Sequence, residues 1–501
     1  MEDFRICPTT GLKVHKPAEL LIQVNAVTGI VFLLIGGLAA LLLALTKIPA
    51  VHLLPSDLFY RFLTLHGIAM LVAWIIFFEA AILYFASAVL LNCRLATVWL
   101  AWVAYGLMLG GALLAAVQIL IGNADVMFTS YPPLQAHHLY YLGVILFAVG
   151  AILVCCVFFG TLAVAKHEKT HEGSLPLVTF GAAAAAIIAI ITLAHGAIIY
   201  IPTWLWALGV VEHIDAPTYR LIFWGFGHSS QQINVCAMIA VWYLLAAVTV
   251  GAKPLNQRVC RTAFVLYILF IDIASEHHIL VDPGFGAAHK AWNTGYFMHL
   301  AVLASMIHAL AVPASVEVAL RKKGHTQGLF EWLKMAPWGN PAFSALAWSV
   351  VGFGFVGGIT GVTFGTEQIN IIAHNTWRIT GHFHGTVVAG TTIAFMGLTY
   401  VVLPLIFRRE LAFPALARIQ PHLFGLGVVT FAIAMMLTGA YGMPRRHWDY
   451  TFADTILPVA LDPSVMVPLN IFGLGAILAV VGGGLFILVA VGTLLFGKKI
   501  Q

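Results

Sequence analysis

Long apolar stretches separated by short polar connections make up most of this chain. Windows of about 20 apolar residues predict membrane-spanning helices, because a helix of that length crosses the hydrocarbon core of a bilayer. Twelve such windows follow one another without a linker. The pattern therefore predicts an all-α integral membrane protein that forms one domain over residues 1–501. The predicted helices are 20–46, 59–91, 96–121, 138–165, 176–207, 218–251, 260–280, 293–319, 342–365, 373–407, 415–441 and 466–496.

The composition agrees with a membrane protein. The 501 residues are 61% hydrophobic and 9% charged, whereas soluble domains have about 25% charged residues. The six cysteines show neither CxxC nor zinc-ligand spacing, so we expect small core residues. Residues 1–17 are polar and do not resemble a cleavable signal peptide.

The distribution of Lys and Arg predicts how the chain crosses the membrane. With a cytoplasmic N-terminus, 18 of the 25 Lys and Arg residues fall on the inner side and seven on the outer side, which follows the positive-inside rule. Both termini are then cytoplasmic, as an even number of helices requires. This asymmetry also accounts for the formal net charge of +5 without a nucleic-acid partner.

Six histidines lie in or beside the predicted helices, where ionisable side chains are costly and usually functional. His382 and His384 are two positions apart on one helix, so at about 100° per residue they point to nearly opposite faces. All six fall roughly 0–17 Å below the outer surface at 1.5 Å per residue. They are His66, His228, His277, His278, His382 and His384.

Imidazole is a good ligand for haem iron and for copper, and it can serve both from within a bilayer. A low-spin haem takes two axial ligands, a reactive haem takes one, and a second metal facing that haem takes about three. This sum accounts for the six histidines. The alternative is six independent core histidines, each satisfied by its own hydrogen bonds.

The motifs around these residues resemble those of the haem–copper oxidase superfamily catalytic subunit, over essentially the whole chain. The spacing is most similar to the B-type branch of that superfamily. The segments that carry the resemblance are Leu65-His66-Gly67, Trp224–His228, His277–Gly284, His374–Trp377, Gly381–His384 and Gly442–Arg446.

The resemblance implies a role for each of these histidines. His66 and His384 would bind a low-spin haem, and His382 would bind a high-spin haem. A second metal, copper or non-haem iron, would take the three remaining histidines, His228, His277 and His278. Arg445 and Arg446 would hold the haem propionates, because guanidinium groups pair well with carboxylates.

One position departs from the family pattern. Oxidases of this superfamily usually have a tyrosine four residues after the histidine of the sixth helix, where this chain has Gln232. A branch that takes the tyrosine from the seventh helix would place it at Ile271. Reduction of O2 in one step uses an electron and a proton from that phenol, whereas joining two NO molecules into N2O needs only two electrons and two protons. The sequence therefore favours a nitric oxide reductase, with a terminal oxidase that reduces O2 to water as the alternative.

Several acidic and polar residues have roles that the sequence leaves open. Glu276 precedes His277 and could be a fourth metal ligand, a proton relay or a structural partner, and Gln232 could hydrogen-bond a metal ligand or a bound intermediate. Glu79 could begin a proton path or be paired near the inner surface. Asp272 suits a relay. Ser305 and His308 are the polar candidates in the middle of helix 8, and the remaining histidines considered, His137, His138, His195, His213 and His299, are expected to be structural.

The chain has neither a CxxCH haem motif nor a copper-cluster cysteine pattern, so its electrons must come from elsewhere. We expect a second subunit that carries a copper or haem centre, with cytochrome c or a membrane quinol as the donor. The expected location is a bacterial or archaeal plasma membrane. A haem-binding gas sensor or transporter is the non-enzymatic alternative, but neither would need three ligands for a second metal.

Overall fold

The fold is described from a computed structural model, which covers residues 3–8, 10–270, 273–452, 456, 458 and 462–500. It is a bundle of long helices, and eleven helices among the described residues are long and apolar enough to cross a membrane. Including the shorter seventh helix, we number them α1 to α12. Their bounds are α1 Lys16–Lys47, α2 Ser56–Val89, α3 Val98–Leu120, α4 His138–His167, α5 Leu177–Ala207, α6 Ala216–Val250, α7 Gln257–Phe270, α8 Ala287–Lys322, α9 Pro341–Phe364, α10 Trp377–Leu405, α11 Pro414–Ala440 and α12 Pro463–Phe496.

The all-α prediction is confirmed, and the predicted bounds of most helices agree with the structure within a few residues. Some helices begin at recognisable signals. The side chain of Asp215 caps α6 by accepting from the backbone N–H of Thr218, and Asn340 caps α9 in the same way. Proline occupies the first turn of both helices, where its missing N–H costs no hydrogen bond.

The seventh helix is the clearest difference from the prediction. The sequence predicts a helix over 260–280, but α7 is described only as far as Phe270, and Glu276–His278 form a separate turn of 3₁₀-helix. Side chains from neighbouring segments replace the missing helical hydrogen bonds. Asn293 accepts from the backbone N–H of Glu276 (3.2 Å), and Asn370 donates to the carbonyl oxygen of His277 (3.0 Å). This irregular backbone is tolerated because other protein segments bond it.

Three helices form the centre of the bundle. Buried residues make up 78%, 78% and 83% of the most apolar window in α2, α6 and α10, against 28% in α8. Those three helices carry His66, His228, His382 and His384. Within α10 the backbone widens to π-helical geometry over His384–Thr392 and packs against a π-helical segment of α9, Gly352–Gly358. Such widened turns are frequent at functional sites.

Both chain termini lie at the same end of the bundle. Arg5 donates to the carbonyl oxygen of Leu405 at the end of α10 (2.7 Å), and Glu410 donates its N–H to the carbonyl oxygen of Lys498 (2.9 Å). An antiparallel hairpin of two three-residue strands, β1 Phe4–Ile6 and β2 Lys13–His15, precedes α1 and pairs Phe4 with His15. We call this the terminal end and the opposite one the site end.

Candidate functional site

A cavity of about 520 Å³ lies between the central helices, toward the site end of the bundle. We call it the site cavity. It brings together residues from distant parts of the chain, including nine of the ten residues singled out above as catalytic, cofactor-binding or metal-binding. The nine are His66, His228, Gln232, His277, His278, His382, His384, Arg445 and Arg446.

His66 on α2 and His384 on α10 face each other across part of this cavity. Their rings are almost parallel, with 7° between the planes and 6.4 Å between the ring centres. If one metal bound a nitrogen of each ring, each nitrogen–metal bond would be about 2.0–2.1 Å long, and each nitrogen lies about 1.2 Å from the centre of its ring. Two such bonds and two such distances in a straight line separate the ring centres by roughly 6.4 Å. The two histidines therefore fit the axial positions of one haem iron.

The remaining ring nitrogens hold these two histidines in place. Nδ1 of His66 donates to the carbonyl oxygen of Gly36 (3.0 Å), and Nδ1 of His384 donates to the carbonyl oxygen of Thr380 (2.8 Å). Nδ1 is thus satisfied in each ring, and Nε2 is the nitrogen left for a metal. Such a bond to the second nitrogen fixes both the tautomer and the ring orientation of a ligating histidine.

His382 is directed to a different side of α10, toward α9. Its Nδ1 lies 3.0 Å from the carbonyl oxygen of Gly357 and 3.0 Å from the hydroxyl of Thr360. The ring lies against Gly361, where an added Cβ would come within 2.9 Å of Cε1 of His382. Glycine at this position therefore makes room for the imidazole. One ring bonded in this way, beside an open cavity, suits a haem with a single protein ligand.

A second group of histidines lies on the other side of the site cavity. The ligand atoms of His228, His277 and His278 are all within 4.8 Å of one another. Nδ1 of His228 is 3.1 Å from Nε2 of His278. Since nitrogen–metal bonds are about 2.0–2.1 Å long, nitrogens this close can share one ion. Three imidazoles form a ligand set that suits copper.

The chain around the three histidines is rigidly packed. The rings of Trp224 and His278 stack with 3.8 Å between their centres and 7° between their planes. Nδ1 of His277 donates to the carbonyl oxygen of Ala274 (2.9 Å), which leaves Nε2 of His277 for a metal. Trp224 precedes His228 by one helical turn on α6, so the same helix carries one candidate ligand, His228, and the ring that stacks on another, His278.

Gln232, the position where the sequence analysis expects a tyrosine from the resemblance, lies beside this group. Its side-chain nitrogen is 3.2 Å from Nε2 of His228. The amide therefore contacts the nitrogen of His228 that does not face His278. No tyrosine is among the described residues that line the site cavity.

Glu276 is the predicted site residue that lies apart from the others. Its carboxylate is paired with Nε2 of His289, and it does not belong to the group of three histidines. The structure thus gives Glu276 a partner outside the site cavity. Ile271 and Asp272, which the sequence analysis also considered, lie outside the described residues.

Arg445 and Arg446 reach the site cavity through a contact between two loops. The N–H of Arg445 donates to the carbonyl oxygen of Asn375 (2.8 Å), and the N–H of Trp377 donates to that of Met443 (2.9 Å). The motifs His374–Trp377 and Gly442–Arg446 therefore form one structural unit. It places the guanidinium of Arg446 against the hydroxyl of Thr129 (3.2 Å).

The two arginines have unmatched positive charge. Burial, together with the neighbouring charge of Arg446, lowers the pKa of Arg445 to about 9. Its Nε is buried without a hydrogen-bond partner, and neither arginine forms an ion pair with a described residue. A buried guanidinium pair of this kind fits carboxylates of a bound group, such as the propionates of a haem.

The structure also shows polar contacts that the sequence analysis missed. The hydroxyl of Tyr267 on α7 is 2.6 Å from that of Ser305 on α8, and Ser305 lines the site cavity. Tyr243 on α6 hydrogen-bonds Nδ1 of His308 (3.0 Å). Tyr267 lies three residues before the end of α7, and Tyr243 lies seven residues before the end of α6. The sequence around each tyrosine gives no signal of these contacts, because both partners, Ser305 and His308, belong to another helix.

The sequence of this chain is similar to those of known proteins. Residues 21–483 match the family described as "Cytochrome C and Quinol oxidase polypeptide I". A cytochrome c oxidase subunit 1 from Thermus thermophilus is 29% identical over 413 residues, which cover 81% of this chain and 72% of that protein. A cytochrome c oxidase subunit 1 from Bacillus sp. PS3 is 27% identical over 449 residues, which cover 85% of this chain and 68% of that protein.

The fold is also similar to a solved structure. A cryo-EM structure of a heme-copper terminal oxidase dimer superimposes with a TM-score of 0.90 and 26% sequence identity. The match covers 97% of this chain and 85% of that one.

Proposed function

This chain belongs to the cytochrome c and quinol oxidase polypeptide I family, and we propose that it is the catalytic subunit of a terminal oxidase that reduces O2 to water. The observation that carries this proposal is the group formed by His228, His277 and His278, which contains three imidazoles and no carboxylate from the residues that the structure describes. That ligand set suits copper, whereas an added carboxylate suits iron. The relatives named as cytochrome c oxidases support O2 as the substrate.

Each set of histidines has a separate task in this proposal. His66 and His384 would hold a low-spin haem, His382 would hold a high-spin haem, and His228, His277 and His278 would hold copper. When bound, these groups supply reversible one-electron chemistry and a place for the gas to bind. The chain itself contributes fixed ring orientations, through the bonds from Nδ1 of His66, His382 and His384 to carbonyl oxygens. Arg445 and Arg446 neutralise the haem propionates.

Reduction of O2 in the site cavity consumes protons as well as electrons. Reduction of one O2 to two H2O takes four electrons and four protons. The Tyr267–Ser305 hydrogen bond ends at the cavity wall and offers one donor for these protons. The hydroxyl of Tyr267 passes a proton to that of Ser305, which releases its own proton to the cavity. Other groups must then return a proton to Tyr267.

A second candidate function is the reduction of NO to N2O, which the sequence analysis favoured. Gln232 supports it, because an amide cannot supply the electron and proton that a phenol gives to O2 cleavage. Two NO molecules, two electrons and two protons give N2O and H2O, and two reduced metal centres hold those two electrons. The position of Glu276, away from the three histidines, argues against the iron site with a carboxylate ligand that the sequence analysis considered.

One experiment separates the two reactions. The purified complex, reduced by an artificial donor, is supplied first with NO under anaerobic conditions and then with O2, and its copper and iron contents are measured. Rapid O2 consumption with copper present and little N2O supports the terminal oxidase. Rapid N2O formation with slow O2 consumption would establish the second candidate instead. A complex that holds both haems and the metal but reduces neither gas would contradict both.

The surroundings of the enzyme follow from the same proposal. Electrons come from cytochrome c or a quinol, through a second subunit that carries a copper or haem centre. We propose that the complex lies in a bacterial or archaeal plasma membrane, with the terminal end of the bundle in the cytoplasm. Residues 1–501 form one domain in this proposal. Reporter fusions at the C-terminus and in the loop between α1 and α2 test this orientation, since the two fusions must report opposite sides.

A further inference from the structure

Glu79 is a buried carboxyl group that the proposed site does not use. It lies on α2, thirteen residues after His66 in the direction of the terminal end, and is 6% exposed. It forms no ion pair with any described Lys, Arg or His. An unpaired carboxylate in a membrane-spanning helix is costly. A carboxyl group kept there therefore needs a function or a strong hydrogen-bond partner.

Asn234 on α6 is that partner. One atom of its side-chain amide lies 2.9 Å from Oε1 of Glu79, and the other lies 3.3 Å from Oε1 of Gln231. A neutral Glu79 donates its O–H to the amide oxygen. An ionised Glu79 requires the amide nitrogen in that place, so the amide must turn. The contact can thus serve both protonation states of Glu79, with a different amide orientation in each.

Gln231 connects this contact to the site cavity. A second cavity of about 160 Å³ lies between α2, α4, α5 and α6, and Glu79 lines it. Gln231 borders both this second cavity and the site cavity. Since Gln231 precedes Gln232, the route from Glu79 through Asn234 and Gln231 ends next to the amide that contacts His228.

The second cavity has room and a polar partner for water. A volume of about 160 Å³ exceeds the roughly 10–15 Å³ that one water needs by this measure. The hydroxyl of Thr192, a cavity-lining residue that is 1% exposed, has no hydrogen-bond partner in the described part of the chain. Glu79, Ser230 and Gln231 add polar atoms to the same wall. Water bound among these groups can carry protons that the amides themselves cannot.

Polar groups continue from Glu79 toward the terminal end. The hydroxyl of Tyr84, five residues further along α2, is buried and has no hydrogen bond to any residue that the structure describes. The thiol of Cys155 on α4 interacts electrostatically with both Tyr84 and Glu79, and that of Cys236 on α6 also interacts with Glu79. Among the residues that the structure describes, these two thiols are the titratable groups with an electrostatic interaction with Glu79.

From this arrangement we infer that Glu79 delivers protons to the site cavity along a branch separate from Tyr267 and Ser305. The inference rests on the proposed function, because reduction of either O2 or NO consumes protons. The O–H bond of Glu79 breaks, and its proton passes to a water molecule beside Gln231 and on to the site cavity. The amide of Asn234 turns to stabilise the carboxylate. A water molecule on the Tyr84 side then returns a proton to Glu79, and no electron moves in either step.

Glu79→Gln in the holoenzyme tests the inference, with Glu317→Gln as a matched control. Glu317 pairs with Arg321 on the surface of α8, far in sequence from the branch. We expect Glu79→Gln to lower gas turnover roughly 10- to 100-fold, as for loss of a positioned proton donor. The loss should grow with rising pH, since protons become scarce. Both haems should remain bound and reducible in both variants.

Infrared difference spectra between the oxidised and reduced holoenzyme give a readout that does not depend on turnover. We expect a carboxyl C=O band that shifts in D2O, disappears in Glu79→Gln and persists in Glu317→Gln. Asn234→Leu should move the band to higher frequency, because it removes the hydrogen bond. If Glu79→Gln does not fold, Glu79→Asp replaces it in the experiment. The carboxyl C=O band should then shift from its frequency in the wild type.

The outcomes distinguish this inference from the proposed function. A wild-type complex that reduces neither gas would contradict the proposed function, whatever the infrared spectra show. A wild-type complex that is active, with a Glu79→Gln variant that keeps full turnover, an unchanged pH profile and an unchanged infrared spectrum, would overturn the inference. The second cavity would then serve only for passage of gas.

Discussion

The side-chain nitrogen of Gln232 lies 3.2 Å from Nε2 of His228, one helical turn away on α6. Nδ1 of the same imidazole faces Nε2 of His278 at 3.1 Å. Nδ1 is therefore the nitrogen of His228 that can bind a metal shared with His278. With Nδ1 on the metal, Nε2 carries the proton and donates it to the amide oxygen of Gln232 once that amide is turned. Gln232 is thus positioned to orient a candidate metal ligand, His228.

We expect Gln232→Leu to weaken metal binding or turnover roughly 10- to 100-fold, as for loss of a hydrogen-bond partner of a metal-bound histidine. The physical reason is that the proton on Nε2 of His228 is left without an acceptor. Gln232→Glu keeps an acceptor and should retain most of the metal. Metal content and turnover of the two purified variants check this, and equal metal loss in both would contradict the orienting role.

The parallel rings of His66 and His384 predict the effect of removing either one. His66→Ala should lose the low-spin haem, so that roughly one haem per chain remains instead of two. Donor-driven turnover should fall close to zero, because electrons no longer reach the site. The haem-to-protein ratio and the low-spin absorption band measure this. The control His299→Ala, at an exposed position bonded only within its own helix, should keep both haems.

Gly361 predicts a steric effect on His382. Gly361→Ala places a Cβ 2.9 Å from Cε1 of the His382 ring, so the imidazole must shift. We expect a loss of about 1–3 kcal/mol in stability, as for overpacking, and an altered spectrum of the high-spin haem. Gly354→Ala on the same helix meets no atom within 4 Å and should leave that spectrum unchanged. The same spectral change in both variants would rule out the steric cause.

Tyr267 and Tyr400 form a matched pair of buried tyrosines. Tyr267 bonds Ser305 beside the site cavity, whereas Tyr400 bonds Gln420 elsewhere in the bundle. Loss of either hydroxyl should cost about 1 kcal/mol in stability. Only Tyr267→Phe should also lower turnover, by roughly tenfold or more, if this hydroxyl supplies protons. Thermal unfolding and steady-state turnover of both variants separate the two effects.

His374 predicts a dependence of stability on pH. Burial, followed by the positive charge of Arg445, lowers its pKa to about 4. Between this value and the ordinary pKa of about 6.5, the unfolded chain binds more protons than the folded chain. Stability therefore rises with pH over that interval.

Replacing His374 with Gln removes this contribution. We expect the gain in stability between about pH 4 and pH 6.5 to shrink by roughly 1–2 kcal/mol, a value reduced for the partial exposure of the ring. Melting temperatures of the wild type and of His374→Gln at both ends of the interval measure the change. An identical pH dependence in the two proteins would show that His374 is not buried as described.

Much of the fold could be predicted because a bilayer imposes a simple rule on sequence. Each span needs about 20 apolar residues, so the windows that became α1 to α6 and α8 to α12 were visible as composition alone. The end of α7 was not visible. Its neighbours, Asn293 and Asn370, satisfy the backbone there through contacts that are distant in sequence.

The site illustrates the same division. The sequence by itself predicted that six histidines lie in one layer of the membrane, because position along a helix converts into depth. The structure brings all six to the lining of the site cavity. The sequence also placed His382 and His384 on different sides of α10, because helical geometry separates positions two residues apart. Both predictions depend only on local regularity.

Only the tertiary structure decided which partners these side chains meet. It made the rings of His66 and His384 parallel, turned the carboxylate of Glu276 to His289, and placed Gln232 against His228. It also joined Glu79 to Asn234 across two helices. Sequence determines which face of a helix a residue occupies, but the rotation and spacing of packed helices determine what that face contacts, and these depend on the packing of the whole bundle.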